Sequence, residues 1–248
     1  MSRRTNHREI LGLAVPAFGA LIAEPLFLLA DTAIVGHLGT AQLGGLGIAT
    51  AVIGGLVTIC IFLTYGTTAS VSRLVGAGDR SSALTQGVDG LWLAALVGLG
   101  FTVVGVPATQ PIVGWFGASP AVSDAAATYL RIALLGTAPM LVVLAAIGVL
   151  RGIRDLRTPL LVAAVGSAAN VALNWLLVYP VGWGVAGSAL GTLIVQVGSA
   201  VALVTVVVRQ ARSAGASLRP NPAGVRRAAG VGVPLLIRTL MLRAVPSR

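Results

Sequence analysis

The sequence predicts an all-α, polytopic membrane protein: a six-helix transmembrane bundle followed by a stub of a seventh helix. Three observations predict it. Of 248 residues, 56% are hydrophobic and only 10% are charged, with no lysine at all; a soluble domain keeps its surface wet with about 25% charged residues. Mean hydropathy is +0.93. Apolar runs long enough to span a bilayer, which takes about 20 residues, recur along the chain between short polar breaks, and arginines gather in alternate breaks. The runs are continuous rather than alternating, which excludes a strand barrel, whose segments alternate over about ten residues.

The spans are expected near residues 9–35, 43–72, 86–107, 126–150, 158–179 and 185–208, with a seventh apolar stretch from about 228. The basic leader and the apolar run after it have the look of a secretory signal. The run continues past the usual ~7–15 residues, and no A-x-A site follows, so it reads as a retained first span. The 108–125 segment, with Pro, Gly and Trp115, reads as an interfacial loop or short surface helix. Tyr179 and Trp183 suit an interface belt.

Arginine placement sets the orientation. Arg3, Arg4 and Arg8, then Arg73 and Arg80, then Arg151, Arg154 and Arg157, then Arg209, Arg212, Arg219, Arg226 and Arg227 fall on one side if the helices alternate. Only Arg131 lies towards the other, a thirteen-to-one bias. By the positive-inside rule the N-terminus is cytoplasmic; the expected membrane is a bacterial plasma (inner) membrane. The pI near 11.6 does not imply nucleic-acid binding, because the arginines sit in short loops rather than on one face of a domain. The lone Cys60 excludes a disulfide framework or a cysteine metal site, and no metal cluster is expected elsewhere.

The chain divides into a six-helix unit at 1–209, a basic cytoplasmic linker at 210–227 and the start of a seventh helix at 228–248. "GLAVP" at 12–16 and "GVGVP" at 230–234 each follow a basic segment and open an apolar one. This repeat reads as the start of a second copy of the unit.

A charge at the bilayer centre costs about 2.5–3.5 kcal/mol on insertion scales, so it faces a cavity or a partner and marks function. Five of the seven acids lie near span ends or in loops. Glu24 and Asp31 lie within the first span, seven residues apart, which is about two turns and some 10 Å along one face. Burial disfavours the charged form of a carboxyl, so such a pair suits a proton or cation path. Pro16 and Pro25 interrupt the helix ladder there and permit bending. In the fifth span Asn170 and Asn174 are four apart on one face, with Ser167 a turn before. Their amides can bond a protonated carboxyl or coordinate a cation; the alternative is interhelical hydrogen bonding. Gly184, Gly187 and Gly191 read as close helix packing, and Gln196 as a residue lining a cavity. No enzyme constellation is present. "GAGD" at 76–79 lacks the GK[ST] of a phosphate loop, so no ATP hydrolysis and no cofactor is expected.

The pattern of Pro16 followed by "DTAIVGHLG" at 31–39 resembles the first helix of the MATE (multidrug and toxic compound extrusion) transporters, DinF-like branch. "SRLVGAGDRSSA" at 72–83, "VLRGIRDLRTPL" at 149–160, "NVALNWLLVYPVGWGVAGSALGT" at 170–192 and "GVPLLIRTLMLR" at 232–243 resemble the family's later segments in order. The resemblance implies two six-helix lobes and export of cationic drugs by antiport with H+ or Na+. It maps an essential first-helix acid onto Asp31 and a polar pair onto Asn170 and Asn174. Some proton-coupled members carry Asp at the second of that pair, where this chain has Asn174; Glu24 is then the candidate second acid. The chain would be one lobe, read as a truncated copy lacking its C-terminal lobe or working as a homodimer. The alternatives are a lipid-linked precursor flippase of the same superfamily, for which Arg131 is the one basic candidate, and a non-transporting fragment or assembly partner.

Overall fold

The computed structural model describes residues 29–230. Every regular element among them is helical. They are α1 (29–36), α2 (Thr40–Cys60), α3 (Phe62–Gly76), α4 (Arg80–Gly105), α5 (Thr109–Gly114), α6 (Pro120–Leu135), α7 (Thr137–Gly152), α8 (Arg157–Val178), α9 (Gly184–Ser213) and α10 (222–230). Glu24, Pro16, Pro25 and the apolar run after residue 230 lie outside the described residues.

Four helical stretches are long and apolar enough to cross a membrane: Thr40–Gly76, Arg80–Gly105, Arg157–Val178 and Gly184–Ser213. The α6–α7 pair makes a fifth if taken as one span. α2 and α3 run on through a single residue, Ile61, which keeps helical angles. Most observed spans start or stop a few residues outside the apolar runs, and α4 and α8 stop one or two residues inside them. α4 begins at Arg80 because the Asp79 carboxylate accepts the Ser82 N–H at 2.9 Å, an N-cap. That bond, with the Ser82 side chain, holds the Asp79 carboxyl below its usual range. α9 extends to Ser213 through its polar end.

The fourth span, expected as one straight helix over 126–150, is instead bent by 50° between α6 and α7. Pro139 lies three residues into α7 and has no N–H for the Leu135 carbonyl, a standard cause of a kink. Hydroxyls occupy the break. Thr137 Oγ1 lies 2.7 Å from the Leu134 carbonyl oxygen and 3.1 Å from that of Gly98. Thr102 Oγ1 donates to Leu134 O at 2.8 Å. These hydroxyls bond carbonyls beside the break, on Leu134 and on Gly98 of α4, as polar backbone inside a membrane requires.

The helices pack as a bundle in which α2 lies along α6, α3 and α4 along α7, and α8 along α9. Two apolar cores sit in tandem. One gathers Leu84, Leu141, Val149, Leu203 and Val207 between α3, α4, α7 and α9. The other gathers Val35, Leu46, Val113, Leu130 and Leu134 between α1, α2, α5, α6 and α9. Close approach needs glycine at the crossings: a Cβ on Gly45 would stand 2.6 Å from Ala125 Cβ, and one on Gly148 2.6 Å from the Thr64 carbonyl. The loops 76–80, 152–157 and 213–222 share the arginine-rich end, and the short α5 belongs to the other.

Candidate functional site

The site is built where α1, α6, α8 and α9 meet. Asp31 is 7% exposed on α1. Its Oδ1 accepts two hydrogen bonds, from Asn174 Nδ2 at 2.7 Å and from Ser188 Oγ at 2.8 Å. Asn174 Nδ2 also lies 2.9 Å from Asn170 Oδ1, and Asn170 Nδ2 donates to Thr192 Oγ1 at 3.1 Å. The Tyr129 hydroxyl, from α6, lies against Thr192 and Ser188. Asp31, Asn170, Asn174, Ser188 and Tyr129 are all buried. A chain of neutral polar groups thus surrounds one acid.

Helical spacing explains the assembly. Asn170 and Asn174 stand four apart on α8, and Ser188 and Thr192 four apart on α9, so each helix offers two polar groups on one face. α8 and α9 run side by side and bring the two faces together. Gly191 lies between them: a Cβ there would fall on Asn174 Oδ1. Gly187, by contrast, admits the Leu177 backbone, with a Cβ only 2.7 Å from its carbonyl oxygen. Beyond the site, the Tyr179 hydroxyl donates to Ile34 O at 3.0 Å and ties the end of α8 to α1.

One atom stands out. Asn174 Oδ1 is buried and has no hydrogen-bond partner among the described residues, although a buried polar atom ordinarily finds one. The donors to Asp31 are an amide and a hydroxyl, both neutral.

The structure brings together three of the residues singled out from sequence: Asp31, Asn170 and Asn174. It places two others elsewhere. Gln196 Oε1 lies against Gly136, at the α6–α7 bend. Ser167 lies half-buried on α8, a turn short of the network. Glu24 lies outside the described residues. Ser188, Thr192 and Tyr129 were not foreseen. The first two stand in "GSALGT", and their i, i+4 spacing matches that of the two asparagines; Tyr129 gives no signal in sequence. Among the described residues no group of three His, Cys, Asp or Glu could hold a metal ion.

Comparison with known proteins places this assembly. The MatE family profile matches residues 16–176, which includes Asp31, Asn170 and Asn174. This chain belongs to the MatE family. It is 28% identical to the DNA damage-inducible protein F of Escherichia coli (strain K12), over 96% of this chain and 53% of that protein. It is 26% identical to a probable multidrug resistance protein NorM of Thermotoga maritima, over 82% of this chain and 45% of that protein. Among solved structures it resembles a multidrug resistance MATE family transporter of the MOP superfamily in its outward-facing conformation. The TM-score is 0.82 and the identity 26%, with 93% of this chain and 52% of that one covered. The chain spans about half the length of the relatives it matches. MatE proteins are transporters rather than enzymes, and this MatE chain is a multi-pass membrane protein.

Proposed function

We propose that this chain is the ion-coupling lobe of a secondary multidrug exporter, in which entry of H+ or Na+ drives the exit of a small organic cation or drug. The observation that carries the reading is Asp31: a buried acid in a membrane helix, bonded only by neutral donors among the described residues, beside an amide oxygen with no partner. A buried carboxylate with no basic partner is costly, and a bound proton or cation would offset that cost. Here the cation can come and go.

The Asn174 amide supplies the two states. In the present orientation its N–H points at Asp31, which suits a carboxylate. Turned by 180°, its carbonyl would face Asp31, which suits a protonated carboxyl or a bound cation; the two orientations occupy nearly the same space. Ion binding from outside lets the first helix bend at Pro16 and Pro25 and expel the drug. Release to the cytoplasm resets the lobe. A protein that works by alternating access rocks one body against another around a central site, so this six-helix lobe (1–209) acts opposite a second lobe, on the same chain or on another copy. The basic 210–227 segment and the apolar stretch from about 228 lead towards that partner. The N-terminus is cytoplasmic, and the membrane is the bacterial inner membrane.

The test follows hydrogen–deuterium exchange of α8 in detergent across pH 5–8, with and without Na+. With each rate divided by the intrinsic rate at that pH, the wild-type chain should show a change in protection that protons or Na+ drive, and Asp31→Asn should abolish it. A pH- and Na+-dependent change that survives Asp31→Asn would reject the proposal. Dependence on protons alone would identify H+ as the coupling ion.

A further inference from the structure

A second buried acid lies at the arginine-rich end, on α4, and takes no part in the Asp31 network. Asp89 is 3% exposed. Its Oδ1 accepts the backbone N–H of Asn221 at 3.0 Å. Asn221 is the N-cap of α10: its side-chain oxygen accepts the Ala223 N–H at 3.1 Å, and its carbonyl the Val225 N–H at 2.8 Å. Pro222 follows at the first helical position, where a missing N–H costs nothing.

In a capping box the third helical residue is Glu or Gln, and it reaches back to the N–H of the N-cap. In α10 that residue is Gly224. A Cβ on Gly224 would fall on Asp89 Oδ2. The carboxylate that the helix lacks is therefore supplied by another helix, through the space that glycine leaves. The positive end of the α10 dipole adds attraction for the same group.

Two further residues of α4 hold the segment that leads into α10. Thr85 Oγ1 accepts the Ser217 N–H at 3.2 Å, and Trp92 Nε1 donates to Leu218 O at 3.3 Å. Thr85, Asp89 and Trp92 stand at i, i+4 and i+7, one stripe along α4. Leu218 also covers an apolar hollow of about 260 Å³ between α4, α7 and α9. Arg80 joins the start of α4 to Gln210 of α9 at 2.8 Å.

We infer that Asp89 is a latch: it completes the capping box of α10 from α4, and so straps residues 214–230 to the lobe as one rigid piece. The chain then leaves the lobe from a fixed point and in a fixed direction, and motion of the lobe passes into whatever follows instead of being lost in a loose tether. This inference stands independently of the ion-coupling proposal.

Trypsin tests it, because it cuts after arginine and this chain has no lysine. Arg226 and Arg227 lie exposed within α10, while Arg73 and Arg154 lie exposed at other helix ends. In the detergent-solubilised 248-residue chain, Asp89→Ala should speed cleavage at Arg226 and Arg227 by about tenfold, the scale of a lost hydrogen bond to a charged group. Cleavage at Arg73 and Arg154 should be unchanged. Gly224→Ala gives the decisive sign. Alanine is the better helix former, so without a latch it would slow cleavage of α10. With the latch, its methyl displaces Asp89 and cleavage accelerates. Slower or unchanged cleavage in Gly224→Ala overturns the inference, even if Asp89→Ala loosens the whole chain.

Discussion

Gly191 decides how tightly the Asp31 network closes, although it contributes no chemical group. A methyl there would collide with the Asn174 carbonyl oxygen, and overpacking of this kind costs about 1–3 kcal/mol. Gly191→Ala should lower the melting temperature in detergent and blunt the ion-dependent exchange of α8. Gly198→Ala, two turns further along α9, is the control: a Cβ there meets nothing within 4 Å, and neither quantity should fall. An unchanged Gly191→Ala would mean that Asn174 is free to move aside. At this scale the sequence was informative about acids and amides, since a carboxylate or an asparagine pair is conspicuous against an apolar background. It was silent on Tyr129, because an aromatic residue in an apolar run looks like core. It gave no sign that Asp89 is buried, because position near a span end says nothing about burial; the segment that bonds Asp89 lies 132 residues away in the sequence. Gln196, expected to line a cavity, lies against Gly136 at the α6–α7 bend.

Between helices, the main device is the break between α6 and α7. Leu134 and Gly98 carbonyls at this break are served by the hydroxyls of Thr102 and Thr137, so the bend is a bonded structure rather than a weak point. Pro139→Ala restores the N–H that Leu135 O lacks, and should reduce the 50° angle. Spin labels at the two ends of the α6–α7 pair would then move apart, as read by electron paramagnetic resonance; an unchanged distance would assign the bend to the Thr137 hydroxyl and to Gly136 packing. Hydropathy located every described span to within a few residues, because burial in lipid requires an apolar run whatever its neighbours are. It could not see the bend, because a proline lowers hydropathy little. It also could not see that α9 outlasts its apolar run by a turn, because helix ends are set by capping groups.

Across the whole molecule, charge orders the lobe. The described loops 76–80, 152–157 and 213–222 hold or adjoin the arginines, and the opposite loops hold none. The single Cys60 is buried, so an introduced cysteine reports on its own side of the membrane. A membrane-impermeant maleimide should label A121C in intact cells and A77C only after permeabilisation. The reverse pattern would place the arginine-rich end outside the cell and overturn the cytoplasmic N-terminus. Membership of the MatE family was legible from the order of the motifs; the repeated "GLAVP" and "GVGVP" segments bear on the two-lobe plan, which belongs to the proposal. The way residues 214–230 fasten onto α4 was not, since it depends on backbone groups that carry no residue identity.

The α8 helix has a consequence of its own. It carries both asparagines, yet among the described helices its one broad neighbour is α9, with hydrogen bonds to α1 from Asn174 and Tyr179, and it presents Leu161, Val165 and Trp175 outward. A helix with one broad neighbour is the first to peel away as a structure warms. Asn170 and Asn174 would leave with it, and Asp31 would lose its amide donor while the two apolar cores remained intact. Heat should therefore silence this lobe below the temperature at which it melts, and the gap between the two temperatures measures how firmly α8 is held.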